Sequence, residues 1–315
     1  MIITVTFNPS CDKTVEIPGF AAGQTVRART IRRQPAGKGV NVSRCMAAMG
    51  CPSTATGFLG RAEADIYDRS FEGTEVAVDF VHVKGDTRQN TTILDPGGGP
   101  ETHIREEGFT VGEEEIAALE QKLGQLLRQG DLAVFSGSSP PGMVPAHTGR
   151  FVAACKAIGC YVAVDTSGPA LAEAVEAGCS IAKPNICELE ELAGRKIDGE
   201  DDIMRAAQQI LERVKILLVT LGEGGAYCFT SDGAWKGTAN VKDVRNTVGA
   251  GDAFLAGFAV GYTEGRPLDA CLRQAVACGT ASTLKEWAGE IDPGDVKRLA
   301  KKVKITQPGP YQQPE

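Results

Sequence analysis

The sequence predicts an α/β protein of three layers, α/β/α, with a mainly parallel sheet and a small additional β-sheet serving as a lid. One observation predicts the layers: helices and short apolar strands alternate through most of the chain, which implies a parallel sheet covered on both faces. A second predicts the lid: two early stretches carry Gly, Pro and short β-like pieces in place of a helical pattern. With 315 residues, 42% of them hydrophobic, the chain can bury one large core or two modest ones.

Ile2 to Phe7 is rich in β-branched residues and stops at Asn8-Pro9, where proline's missing N–H ends a central strand. After Gly37-Lys38-Gly39, the apolar positions Val42, Cys45, Met46 and Met49 recur at helical spacing, and Gly50 suits the helix end. Ile116, Leu119, Leu123 and Leu126 mark a second helix closed by Gly130, and Leu132 to Phe135 reads as a buried strand. The cycle repeats with helix at Phe151 to Ile158, strand at Tyr161 to Val164, helix at Ala170 to Ala177 and strand at Ile181-Ala182 before Pro184. Helix at Asp202 to Val214 and the strand Ile216 to Val219 complete a third cycle. Thr14 to Ile31 and Arg88 to Ile104 break the rhythm, which assigns them to a sheet outside the main layer that would act as a lid. The chain therefore divides into one domain over 1–306, with lid segments at about 10–34 and 86–106, and a 307–315 tail whose three prolines and three glutamines read as disordered.

A formal charge of −7 argues against a surface built to grip nucleic acid or anionic lipid, while leaving room for a local basic pocket. The ten cysteines include no CxxC pair and there are only three histidines, so no zinc site is expected and reduced thiols in a cytoplasm follow. The first residues lack the features of a secretory signal, and no run approaches the roughly 18 apolar residues that cross a bilayer. A soluble cytoplasmic protein is the expectation.

The chemistry concentrates at Asn246-Thr247-Val248-Gly249-Ala250-Gly251-Asp252, a small-residue turn feeding the apolar helix Ala253 to Phe258. Backbone amides of Gly249, Ala250 and Gly251 at a helix start bind phosphate through N–H donors and the helix dipole. Asp252 then stands beside the anion site, where its carboxylate would accept the proton of an attacking hydroxyl. On its own the same turn reads equally as an ordinary helix start. Gly37-Lys38-Gly39 is not a Walker P-loop, which needs Ser or Thr where residue 39 is glycine. Asn185 and Glu188, three apart at a helix start, suit Mg²⁺, but on their own they read rather as a capping box. Gly222, Gly224 and Gly225 read as a hairpin between Val219 and Tyr227, which is compatible with lining a nucleotide.

Asn246 to Asp252 resembles the NTxGAGD signature of the ribokinase-like carbohydrate kinases, also called the phosphofructokinase B family. Further matches follow in family order over essentially the whole chain: Asn8 to Asp12, Gly37 to Asn41, Lys183-Pro184-Asn185-Ile186-Cys187-Glu188, and Leu221 to Gly225. The resemblance implies a ribokinase-like fold, ATP and Mg²⁺, and transfer of the γ-phosphoryl group to a sugar hydroxyl with Asp252 as base. It makes Asp12, Gly37, Lys38, Gly39, Asn41, Arg88 and Asn90 sugar contacts, and Arg27 a residue for a phosphate on the sugar. Lys183, Asn185, Thr220, Gly222, Gly224, Gly225 and Cys278 would attend the nucleotide, and Asn185 and Glu188 the metal. It points to the branch acting on fructose 1-phosphate, with tagatose 6-phosphate or fructose 6-phosphate next, then an unphosphorylated sugar or a nucleoside, then a non-catalytic sugar-phosphate-binding regulator; it also implies Arg27, Lys38 and Arg88 converging on the phosphate, and a homodimer. No nucleic-acid or membrane partner is implied.

Overall fold

The computed structural model describes residues 1–99 and 101–308. The chain opens with β1 (Ile2–Thr6), β2 (Ser10–Glu16), β3 (Arg29–Ala36), α1 (Lys38–Ala48), β4 (Ser53–Gly60), α2 (Ala64–Ser70), β5 (Val76–Val78) and β6 (Val81–Val83). It continues through β7 (Arg88–Leu94), β8 (Thr102–Ile104), α3 (Glu113–Leu126), β9 (Leu132–Ser136), α4 (Pro145–Ala157), β10 (Tyr161–Asp165), α5 (Gly168–Glu176) and β11 (Ile181–Ala182). Last come α6 (Ile186–Ala193), α7 (Glu200–Leu211), β12 (Ile216–Thr220), β13 (Ala226–Thr230), β14 (Gly233–Thr238), α8 (Ala250–Thr263), α9 (Leu268–Ser282), α10 (Pro293–Ala300) and β15 (Lys304–Thr306). The disorder expected of the tail falls largely on 309–315, outside the described residues.

The main sheet runs in the order β15-β14-β13-β12-β11-β10-β9-β1-β4-β5, with β6 also on β4. It is parallel from β12 to β5 and antiparallel at the β13–β14–β15 edge. Its strands are apolar at successive positions because each face is covered. Ile3, Val5, Ala133, Phe135, Leu217 and Val219 point into one core with Ile116, Leu119, Phe151 and Leu171 of α3, α4 and α5. The alternate residues Ile2, Leu132, Val134, Ile216 and Leu218 enter the opposite core with Val42 of α1, Phe258 of α8 and Leu272 of α9. This is the strand period of two, with both faces dry. Each fully buried Leu, Ile or Phe among them contributes about 1.5–3 kcal/mol.

The two rhythm-breaking stretches supply a second sheet, β3-β2-β7-β8, outside the main layer. Its own apolar cluster is small, Val15, Ile17 and Ile93 with Phe20 against them. Its root is tied to the main body by Tyr67 of α2, whose hydroxyl donates to the carbonyls of Ser10 (2.8 Å) and Ala36 (3.0 Å). Lys38 and Gly39, read from the sequence as a turn, already belong to α1.

Among the described residues, no helix is long and apolar enough to cross a membrane.

Candidate active site

The carboxyl ends of the parallel strands collect the polar residues, as open α/β sheets do at their ligand crevices. Ser136 ends β9, Asp165 ends β10, Lys183 follows β11 and Thr220 ends β12. The register sets Asp165 directly beside Ser136. Asp165 is 1% exposed and draws in two ammonium groups, Lys38 Nζ and Lys183 Nζ, each 3.2 Å from its Oδ1. Burial opposes its ionisation, but the two lysines outweigh burial and hold the carboxyl below the usual carboxylate range. The Lys38 ammonium, although burial works against it, is pushed above its ordinary value by Asp165.

Opposite lies the turn into α8. Gly249 adopts φ +85°, and a β-carbon there would come within 3.0 Å of Gly289 N and 3.1 Å of the Ala288 side chain, so glycine is required twice over. Asn246 shapes the approach: its Oδ1 accepts from the Val248 amide (2.8 Å) and its Nδ2 donates to the Glu286 carbonyl (2.9 Å). Of the three amides expected to hold an anion, that of Ala250 is partly engaged, donating to the Thr247 carbonyl at 3.2 Å. A β-carbon on Gly251 would lie 3.5 Å from Lys183 Nζ, so this ammonium sits between the anion turn and Asp165. The turn thus combines a helix dipole with a buried cation.

Asp252, in the first turn of α8, is 5% exposed. Its carboxyl is pushed up to about 7, by burial first and then by the negative charge of Asp165; Asn41, Lys38 and Lys183 pull the other way. Asn41 Nδ2 donates to Asp252 Oδ2 at 2.9 Å. The orientation of that amide is itself determined, because Arg44 donates to Asn41 Oδ1 (3.2 Å) and to the Pro35 carbonyl (2.7 Å). Two acids in one pocket with their pKa values driven apart are the arrangement a general base needs.

The structure therefore gathers Lys38, Asn41, Lys183, Gly249, Gly251 and Asp252 into one centre. Gly37 and Gly39 serve it by close approach: a β-carbon on either would meet Thr6 at 2.8 Å and 2.4 Å. Asp12 and Asn90 stand side by side on the small sheet, joined by Asn90 Nδ2 donating to Asp12 Oδ1 at 2.9 Å. Asn185 and Glu188 form a reciprocal capping box at the start of α6, Oδ1 accepting from Glu188 N (3.0 Å) and Glu188 Oε2 from Asn185 N (2.8 Å). Thr220 bridges to Asn185 across the strand ends. Gly222 to Gly224 turn the chain between β12 and the antiparallel β13, and Gly225 at φ +89° lies hard against the Gly237 carbonyl.

The remaining expected residues are placed apart from this centre. Cys278 is 0% exposed, with its Sγ 3.6 Å from Met49 Sδ and its β-carbon against Gly257, in the packing of α8 on α9. The three cations expected to meet a phosphate each have a position of their own. Lys38 serves Asp165, Arg88 donates to the carbonyls of Asn8 (2.9 Å) and Pro9 (3.3 Å), and Arg27 lies exposed in the connection from β2 to β3.

Asp165, Arg44 and Arg105 escaped the sequence reading. Arg105 is close enough to Arg88 that their like charges, after burial, help to lower the Arg88 pKa. Asp165 had a signal, an acid ending the apolar strand Tyr161 to Val164; Arg44 and Arg105 had none.

Residues 5–293 match the pfkB family carbohydrate kinases. The chain is 32% identical to 1-phosphofructokinase of Bacillus subtilis, over 98% of this chain and 100% of that protein. It is 30% identical to tagatose-6-phosphate kinase of Staphylococcus epidermidis, again over 98% and 100%. Its structure superimposes on phosphofructokinase-2 from Escherichia coli with a TM-score of 0.90 at 29% identity, covering 95% of this chain and 98% of that one.

Proposed function

The chain belongs to the pfkB family of carbohydrate kinases, phosphotransferases with an alcohol group as acceptor, and from that premise we propose that it transfers the γ-phosphoryl group of MgATP to a hydroxyl of a phosphorylated ketohexose, fructose 1-phosphate first. Tagatose 6-phosphate and fructose 6-phosphate are the next acceptors, in line with the names of the relatives. The observation that carries the reading is Asp252: a buried carboxyl raised to about 7, hydrogen-bonded to Asn41 and adjoining an anion turn with a lysine in it. Asp252 takes the proton of the attacking hydroxyl, while the Gly251 amide and Lys183 meet the charge developing on the transferred group. The β3-β2-β7-β8 sheet is the lid that excludes water as a competing acceptor. The phosphate of the sugar lies against Arg88, with Arg105 near enough for its like charge to act on Arg88, so that both attract an anion there.

A rate measurement coupled to ADP release, comparing the three ketohexose phosphates with free fructose and a nucleoside, tests the acceptor. Preference for a phosphate ester by about 10²–10⁴-fold is expected, from two charge-assisted bonds, and is expected to narrow in Arg88→Ala and Arg105→Ala. Equal use of free fructose sinks the assignment.

Mg²⁺ that bridges phosphates keeps most of its waters and needs one or two carboxylates. The donor set fits one such carboxylate: Glu188 spends only Oε2 on the Asn185 amide, and its negative charge acts on Lys38 at the site. Asn185 and Glu188 would hold the ion, whose charge would neutralise the phosphates. Glu188→Gln preserves an acceptor for the capping box, so the unfolding midpoint should stay constant. The Mg²⁺ concentration for half-maximal rate should rise several-fold as the charge is lost. An unchanged Mg²⁺ midpoint leaves Glu188 a capping residue.

A further inference from the structure

The geometry points to Gln34 as a specificity-determining residue that reads a sugar hydroxyl, an inference that rests on the sugar-phosphate reading above. Strand register places it. Asp12 of β2 pairs with Gln34 of β3 on one side and with Asn90 of β7 on the other, so the three side chains form one row on one face of the small sheet. That face is turned towards the main body. Arg32, two residues before Gln34 and thus on the same side of β3, pairs with Glu290 and lies 4.9 Å over the Trp287 ring.

The row carries unspent acceptors. Asp12 Oδ1 receives both Ser10 Oγ (2.8 Å) and Asn90 Nδ2 (2.9 Å), which leaves Asn90 Oδ1 buried and without a partner. Gln34 Oε1 is likewise buried with no partner, as is Asn8 Oδ1 beside the same sheet. An acceptor left unpaired inside a fold costs free energy, and whichever way the Gln34 amide turns, one polar edge remains for a ligand. Two side-chain carbonyls flanking a carboxylate select hydroxyl donors and repel a phosphate. The polyol face of the substrate therefore meets Gln34, Asp12 and Asn90, while its phosphate lies towards Arg88 and Arg105.

Gln34→Met keeps length and removes every donor and acceptor. For the ketohexose phosphate that the wild type uses best, kcat/KM should fall about 10- to 100-fold, mainly through KM, because a site built for a hydroxyl is left without its partner. The KM for ATP should not change, and the urea unfolding midpoint should hold or rise, since a buried unpaired carbonyl has gone. On a set of substrate analogues each lacking one hydroxyl, the penalty of the substitution should vanish for the analogue missing the hydroxyl that Gln34 reads. A kcat/KM within twofold of wild type, a penalty constant across the analogues, or an equal loss for sugar and ATP with a lowered unfolding midpoint overturns the assignment. If the wild type turns over none of the ketohexose phosphates, the substrate reading fails and this inference falls with it, whereas an active wild type with an indifferent Gln34→Met removes Gln34 alone.

Discussion

Asp252→Asn is expected to lower kcat about 10²–10⁴-fold while ATP affinity stays within a factor of a few, because the amide cannot take the proton of the acceptor hydroxyl. The substitution keeps the shape of the site: an amide oxygen still accepts from Asn41 Nδ2, and the first turn of α8 is unaltered. Stability should change in the opposite direction to activity. The folded protein raises this carboxyl from 3.8 to about 7, so folding favours the protonated form. The cost of ionising it is absent below pH 4, grows as pH rises through the window from 4 to 7, and is complete above it. Asp252→Asn should therefore match wild type in urea unfolding at acid pH and exceed it at pH 8 by a few kcal/mol, the scale that a shift of this size implies. Steady-state rates, ATP calorimetry and unfolding at the two pH values check the three parts. Retention of more than about a tenth of wild-type kcat rejects Asp252 as the base.

Asp165→Asn is expected to damage stability most and to move the pH profile. Removing the carboxylate leaves the Lys183 ammonium, 4% exposed, without its counter-charge, and breaking a buried pair in this way costs about 3–5 kcal/mol. Lys38 is more accessible to solvent and suffers less. The sign with pH follows from the direction of the shift: folding lowers the Asp165 pKa, so its contribution is present above the ordinary carboxylate range and is lost as pH falls through it. The wild-type difference from Asp165→Asn should thus shrink in acid. In kinetics, wild-type kcat/KM should fall on the acid side with an apparent pKa of about 7 belonging to the coupled Asp252–Asp165–lysine cluster. Without Asp165 the negative charge opposing Asp252 ionisation disappears and both lysines act on Asp252 alone, so the acid limb should shift to lower pH. An acid limb that stays in place, or an unfolding midpoint equal to wild type, refutes this account of the cluster.

Periodicity made most of the scaffold legible. Ile116, Leu119, Leu123 and Leu126 mark α3, and Leu132 to Phe135 marks β9, because a helix with one wet face and a strand with two dry ones leave different spacings. Where the read boundaries were late, a local signal was missed: α4 begins at Pro145, six residues before Phe151, with proline in its first turn. Strand β4, Ser53–Gly60, is buried throughout yet carries a serine and two threonines, and Thr56 is accommodated by donating to the Asp79 carbonyl. Tertiary hydrogen bonds permit such a strand, and no local pattern announces them.

The same division runs through the active site. By itself the sequence determined the layered α/β/α fold, the small separate sheet and the helix start at Gly249 to Asp252, since these depend on spacing, on turn-forming residues and on backbone freedom within a few positions. The tertiary structure alone decided that Asp165, Lys38 and Lys183, separated by 127 and 18 residues along the chain, share one buried charge cluster, that Arg44 orients Asn41 towards Asp252, and that Gln34 stands in a row with Asp12 and Asn90. A pKa, an unpaired carbonyl and a cross-strand neighbour are properties of the surroundings. They come into being only when strand ends from distant parts of the chain are brought to one edge of a sheet and water is removed from between them.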